Sequence, residues 1–465
     1  MTIDPSIFKA YDIRGIYPRD INEENIQIII SAIYQFLKMD LKKDVLSVVL
    51  GRDMRVSSPS LFEKALYTLN LSGAQIINIG LVSTPTFYFA VFDGQYDAGI
   101  QISASHNPKE YNGIKFVKRV GNTLLKIGKN MGMDQVKELA LSEKLPQQDK
   151  KGSVIQKQNV VVDEVNAALK SIDLQMNKPF RVVADPANAM GILYIKELFK
   201  YVPGDLIKMN FELDGTFPVH QPDPLQFETL KDLQKRVVEE KADFGIAPDG
   251  DGDRIFFIDE KGKVVPATLI TSLITKEILS KKKGEKIIAD IRYTQNVGNV
   301  CKKLGGVFLT SKVGHALITK YLNKENAAFA GESSGHYYFR ETGGAESSVR
   351  VILYVLEAMR EAGKPLSELL REFHSSFESG EYNFVLSEET SAEQILQMLK
   401  TTFFDGTANE LDGLAVDYPD WRFSVRSSNT EPLLRLNLEA KTEELMRQKL
   451  HELLELLKNQ GAQPK

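Results

Sequence analysis

Short apolar runs alternate with amphipathic stretches along the first three quarters of the chain. Val45 to Leu50, Ala74 to Ile79 and Ala98 to Ser103 are mostly apolar and too short for helices, the pattern of buried strands. Between the first two, Ser58-Pro59 offers an N-cap followed by proline at the first helical position. Leu61, Ala65, Leu66 and Leu69 then repeat at helical spacing, and Gly73 marks the stop. Pro85 to Phe92 predicts a second, shorter helix. This β-α-β-α-β order implies a mostly parallel sheet, with ligands bound beyond the carboxyl ends of its strands.

A charged stretch from Ser142 to Lys151, followed by Gly152, reads as a linker. Beyond it the pattern predicts a strand at Arg181 to Ala184, a helix through Ile192 to Tyr201, an amphipathic helix through Phe227 to Lys241, and a strand at Asp243 to Ala247. A third unit has a strand at Lys286 to Asp290, a helix around Val297 to Leu304, and strands at Val307 to Thr310 and Ala327 to Ala330. Each unit delivers a polar loop at a strand end, as a diverged internal triplication would. From about Arg371 the pattern changes. Trp421 to Val425 and Leu433 to Ala440 alternate like antiparallel strands, and Leu445, Leu450, Leu453, Leu454 and Leu457 form the apolar stripe of a closing helix. The predicted fold class is α/β: three related mixed α/β domains with mostly parallel sheets, at 1–152, 153–255 and 256–370, and a C-terminal α+β domain with an antiparallel sheet at 371–465.

Composition narrows the function. The 465 residues are too many for one ordinary core, and 43% hydrophobic with 26% charged residues lies in the globular range. A net charge of −4 leaves no electrostatic footprint for nucleic acid. The single cysteine, Cys301, excludes an intrachain disulfide and sits in a helical setting that reads as buried. The N-terminus lacks a signal-peptide pattern, and no apolar run approaches the roughly 20 residues of a membrane span. These features predict a cytoplasmic protein with neither a nucleic-acid nor a membrane partner.

Five groups of residues carry chemistry. Ile102-Ser103-Ala104-Ser105-His106-Asn107-Pro108 ends a strand and leads toward Gly113-Ile114-Lys115, placing a hydroxyl, an imidazole and an ammonium on one turn-rich stretch. Asn107-Pro108 blocks a helix there, and Ser105 is a candidate for carrying a transferred group. Asp249-Gly250-Asp251-Gly252-Asp253-Arg254 sets three carboxylates at alternate positions, with glycines that let the backbone curl them toward one point. Three oxygen ligands suit a hard divalent cation, and Mg²⁺ fits a site that also takes phosphate oxygens. The glutamate of an EF-hand loop is missing, and a strand rather than a helix precedes the triplet. Arg254 could pair with a carboxylate or contact a phosphoryl group. Arg426-Ser427-Ser428-Asn429-Thr430-Glu431-Pro432 offers a guanidinium, hydroxyls and backbone donors that can surround a phosphate. Gly331-Glu332-Ser333-Ser334-Gly335-His336 suits sugar hydroxyls, and His315 lies at a predicted helix start that disfavours its charged form. Tyr11-Asp12-Ile13-Arg14-Gly15 places an arginine beside a glycine turn.

Together and in this order, these loops resemble those of the α-D-phosphohexomutase family over essentially the whole chain. The nearest branch is similar to the phosphomannomutase/phosphoglucomutase group, with Ser428-Asn429-Thr430-Glu431-Pro432 typical of it. The resemblance implies four domains around a central cleft and a mutase interconverting hexose 1- and 6-phosphates, of mannose or glucose, through a phosphoserine and a hexose 1,6-bisphosphate. Phosphoglucosamine mutase is the alternative within the family; a sugar-phosphate phosphatase and a non-catalytic sugar-phosphate-binding protein are the alternatives outside it. Ser105 would carry the phosphoryl group and, with Asp249, Asp251 and Asp253, complete one Mg²⁺ site. Arg14, His106, Lys115, Arg254 and His315 match catalytic cleft positions. Tyr11, Arg292, Glu332, Ser334 and His336 would bind substrate, and Arg426, Ser428, Asn429 and Thr430 would grip its non-reacting phosphate. The expected partner is a phosphorylated hexose, the expected assembly a monomer or homodimer. Two departures stand out: Ser333, where relatives often carry methionine, glutamine or asparagine, and Gly343-Gly344-Ala345-Glu346-Ser347-Ser348, which lacks a common aspartate that Glu346 could replace.

Overall fold

The computed structural model describes residues 3–142, 151–172, 178–387, 390–427 and 433–465. The first sheet holds β1 (Ile13–Ile16), β2 (Ser47–Arg52), β3 (Gln75–Leu81), β4 (Ala98–Ile102), β5 (Tyr111–Val120), β6 (Thr123–Lys126) and β7 (Ser153–Gln156). The second holds β8 (Phe180–Ala184), β9 (Gly204–Lys208), β10 (Phe244–Pro248), β11 (Ile255–Asp259) and β12 (Val264–Val265). The third holds β13 (Lys286–Asp290), β14 (Val307–Ser311), β15 (Phe329–Gly331), β16 (Tyr337–Phe339) and β17 (Ala345–Glu346).

One topology recurs three times. In each sheet a strand lies between the two that follow it, parallel to both, and a fourth strand pairs antiparallel with the third. The spatial orders are β3-β2-β4-β5, β9-β8-β10-β11 and β14-β13-β15-β16. Strands β4 and β10 are buried along their whole length, as strands covered on both faces must be, which explains their unbroken apolar character. The turn from third to fourth strand carries Ser105, then Asp249 to Arg254, then Glu332 to His336. The three loops are topological equivalents.

The fourth sheet is antiparallel and runs β19 (Thr407–Asn409), β20 (Leu414–Asp417), β21 (Trp421–Ser427), β22 (Leu434–Ala440), β18 (Phe377–Leu386) and β23 (Ala462–Pro464). The helix Glu443–Asn459 closes it through Leu450, Leu453 and Leu457. Trp421 and Phe423 stack inside this smaller core with Phe403 packed edge-on against Phe423, while the second and third units share one continuous core.

Several elements depart from the sequence reading. β7 extends the first sheet beyond the cut at 152, and all four of its residues are exposed, so no apolar run announces it. β11 and β12 carry the second sheet past 255, and the cut at 370 falls inside the helix Leu366–Arg371. Ser58 does not cap its helix. Its hydroxyl donates to the Asp53 carboxylate at 2.5 Å, and the helix N-cap is Ser57. Phe227 to Lys241 divides into a 3₁₀ turn, Phe227–Leu230, and the α-helix Lys231–Glu239. Most of the linker, 143–150, lies outside the described residues.

Candidate functional site

Ser105 sits at the end of β4 with φ of 52°, a left-handed conformation that costs a non-glycine residue on the order of 1–3 kcal/mol. What holds it there is Arg55, a fully buried guanidinium at the end of β2. Arg55 donates to the main-chain carbonyls of Ser105 (2.7 Å), Asn107 (2.6 Å), Pro108 (2.7 Å) and Tyr111 (2.9 Å), and faces Asp53 at 3.3 Å. Arg14, on β1, donates to the Asn107 side chain at 2.5 Å and pairs with Asp12. The serine hydroxyl so presented donates to Asp249 at 3.1 Å and lies 3.1 Å from His106 Nδ1.

The aspartate loop approaches from the second unit. Gly250 is essential to that approach, because a Cβ there would stand 2.3 Å from the Ser105 carbonyl oxygen. Asp249, Asp251 and Asp253 are buried and offer oxygens within 4.8 Å of one another. Burial and the two neighbouring carboxylates push Asp249 up to about 8, so the cluster lacks cationic charge as it stands. Lys115 supplies part of it, reaching Asp251 at 2.6 Å and Asp253 at 2.7 Å. Thr84, first residue of the helix Thr84–Asp93, donates through its hydroxyl to Asp251 at 2.6 Å. Asp251 Oδ1 is buried with no hydrogen-bond partner among the described residues. An all-oxygen, acidic, buried set with an unpartnered lone pair fits a hard divalent cation.

The third unit's loop meets this cluster through His336, whose Nε2 is 3.2 Å from Asp253 and whose Nδ1 is 3.3 Å from Glu332. Burial opposes the imidazolium, but the two carboxylates prevail and push His336 up to about 9. His315 and His106 go the other way. Burial and the cations Lys126 and Lys115 keep His315 neutral; burial with Arg254 and Arg14 does so for His106. Tyr11 packs on the His315 ring at 5.2 Å and donates to the Val313 carbonyl. Ser334 lies 3.1 Å from His336 Nδ1, and the Ser333 hydroxyl donates to Asp290 at 2.8 Å.

A cavity of about 760 Å³ opens beside these groups, lined in part by Tyr11, Arg254, His315, Glu332 and His336. Arg292, Arg426 and Arg435 line it as well and converge on the Glu381 carboxylate at 3.8, 3.0 and 3.2 Å. Three guanidinium groups that meet at one point in a cavity suit an anion there. Arg292 also binds Asp290 and Glu332, at 2.9 and 3.2 Å. Arg254 lies 3.8 Å from Asp223, its Nε is 3.5 Å from His336 Nε2, and it lines the cavity. Ser428, Asn429 and Thr430 lie outside the described residues.

The structure thus brings Ser105, the three aspartates, Lys115, Arg254, His336 and Glu332 into one continuous cluster. Sequence reasoning missed Arg55, Thr84, Glu381 and Arg435. Arg55 follows a strand end, as Ser105 does, and the same rule applied to Arg52-Asp53-Met54-Arg55 would have found it. Nothing local distinguishes Glu381 from a surface glutamate.

Four family models match in chain order: phosphoglucomutase/phosphomannomutase alpha/beta/alpha domain I over residues 5–138, domain II over 161–262, domain III over 267–377, and the C-terminal domain over 381–456. A phosphomannomutase of Methanocaldococcus jannaschii is 36% identical over 455 residues, covering 98% of each chain. One from Vibrio cholerae is 36% identical over 461 residues, covering 97% of this chain and 98% of that one. Among solved structures, a phosphoglucomutase/phosphomannomutase family protein from Burkholderia thailandensis superposes with a TM-score of 0.88 at 28% identity, covering 100% of both.

Proposed function

The chain belongs to the phosphoglucomutase/phosphomannomutase family, and on that premise we propose that it interconverts the 1- and 6-phosphates of mannose or glucose, with Ser105 as the phosphoryl carrier. The observation that carries this reading is the Ser105 hydroxyl held 3.1 Å from Asp249, within the carboxylate cluster.

In the resting enzyme the phosphoryl group sits on Ser105 Oγ. A hydroxyl of the bound hexose phosphate attacks that phosphorus, the P–Oγ bond breaks, and a hexose 1,6-bisphosphate forms beside free Ser105. The sugar then turns over in the cavity. Ser105 Oγ gives up its proton and attacks the phosphorus that was previously remote, the P–O bond to the sugar breaks, the freed sugar oxygen takes a proton, and the isomerised monophosphate departs. Asp249, Asp251 and Asp253 would hold Mg²⁺ with a phosphoserine oxygen, and the bound ion would neutralise charge on the phosphoryl oxygens.

The chain's own residues do the rest by position and charge. His315, kept neutral on the cavity wall, would take the proton of the attacking hydroxyl. Lys115 and Arg254 offset the phosphoryl charge. Glu332, Ser334 and His336 face the sugar hydroxyls. Arg292, Arg426 and Arg435 exchange the Glu381 carboxylate for the non-reacting phosphate, with Ser428, Asn429 and Thr430 as further donors.

The test is turnover of mannose, glucose and glucosamine 1-phosphates with Mg²⁺ and catalytic glucose 1,6-bisphosphate. Isomerisation of the first two, faster than the third and without matching phosphate release, is the expected result. Preference for glucosamine 1-phosphate overturns the substrate assignment, and phosphate release as fast as isomerisation replaces the mutase with a hydrolase.

A further inference from the structure

We propose that the buried Lys126–Glu346 ion pair is a positioning device, aligning the third unit's sugar loop with the serine and aspartate loops so that the bisphosphate turns over inside the cleft rather than escaping. The inference rests on the mutase reading. Lys126 ends β6 in the first sheet and Glu346 ends β17 in the third, and they are 3% and 2% exposed. The ammonium donates to both carboxylate oxygens and lies 4.8 Å above the Tyr88 ring and 5.0 Å above the Tyr338 ring.

Each partner leads to a group in the site. Tyr88 belongs to the helix whose first residue binds Asp251. Tyr338 donates its hydroxyl to Glu332 at 2.8 Å, and its ring stacks on His336. On the far side, a Glu346 oxygen lies within 4.8 Å of ligating atoms of both His336 and Asp253. One ammonium therefore touches rings from the first and third units, and its counter-ion abuts the aspartate loop of the second.

Stability gives no reason for such a pair. Burial opposes both charges, and buried ion pairs replaced by apolar residues of similar volume are often neutral or stabilising. The surrounding interface has other ties: Leu124 donates its amide to the Gly343 carbonyl at 2.8 Å, and Asn323 donates to the Leu124 carbonyl at 2.8 Å. These ties join the units. The pair sets the alignment within the joint.

The deciding variant is Lys126→Met/Glu346→Leu, assayed with mannose 1-phosphate, Mg²⁺ and glucose 1,6-bisphosphate. A double variant with a melting temperature at or above wild type, KM within about threefold, kcat down at least about tenfold and more free bisphosphate released per turnover is the expected result. Wild-type kcat and bisphosphate release in a folded double variant overturn the inference. Should that variant not fold, Glu346→Asp keeps the charge and withdraws it by one methylene; unchanged kcat there overturns the inference equally, and a tenfold loss supports it. If wild-type protein does not isomerise hexose phosphates, the mutase reading falls instead.

Discussion

Ser105 is held by Arg55, which grips the main-chain carbonyls of the serine loop, and this governs what mutation should do. Arg55 spans four carbonyls with one planar fork, a geometry that lysine cannot reproduce. Arg55→Lys keeps the charge and loses the strap, so kcat should fall by roughly 10²-fold while KM changes little. Steady-state kinetics decide this, and a wild-type kcat would deny Arg55 any positioning role. Gly250→Ala drives a methyl into the Ser105 carbonyl, 2.3 Å away, and separates the two loops. Titration of activity with Mg²⁺ should show a higher metal requirement and a lower plateau; an unchanged curve would separate the cluster from the serine. Ser105 and the three aspartates were legible because strand ends and alternating carboxylates are local patterns. Arg55 follows a strand end too, so its position was legible, but its role was not, because its partners are carbonyl oxygens about fifty residues away that carry no sequence signature.

At the scale of elements, the helix Thr84–Asp93 links the site to the second unit. Its Thr84 binds Asp251, and its Thr86 donates at 2.5 Å to Glu164 on the helix Val160–Ile172. Burial pushes Glu164 up to about 7 from an ordinary 4.5, so the folded protein holds a proton that the unfolded chain releases. Stability should therefore fall as pH rises from about 4.5 to about 7 and level off above, a loss of about 3 kcal/mol. Glu164→Gln removes that loss. Thermal melts should show the variant more stable than wild type at pH 8 and nearly equal at pH 5; equal melting points at both would refute the buried proton. Apolar elements such as β4, β13 and the closing helix stood out in the sequence. β7 and β9 did not, because an exposed edge strand has no buried face to pattern.

For the whole molecule, the repeated topology explains why distant loops converge. Three sheets with the same strand order present the turn after their third strand, and these turns meet where the units abut. The sequence gives each turn's chemistry but not the angles between units, so the arginine corner on Glu381 stayed hidden. Arg426 is the described member of that corner contributed by the terminal phosphate loop. Arg426→Ala should raise KM by roughly 10- to 100-fold, the worth of one charge-assisted contact, while Ser105 still accepts a phosphoryl group. Kinetics paired with mass spectrometry check this, and loss of phosphorylation with unchanged KM would put the corner's role elsewhere.

Intact-mass analysis with peptide mapping tests the carrier role of Ser105 most directly, on protein treated first with glucose 1,6-bisphosphate and then with excess hexose 1-phosphate. One added phosphoryl group on Ser105 after the first treatment, discharged by the second, is the predicted result. A protein that isomerises hexose phosphates while Ser105 stays unmodified, or while another residue carries the group, contradicts it.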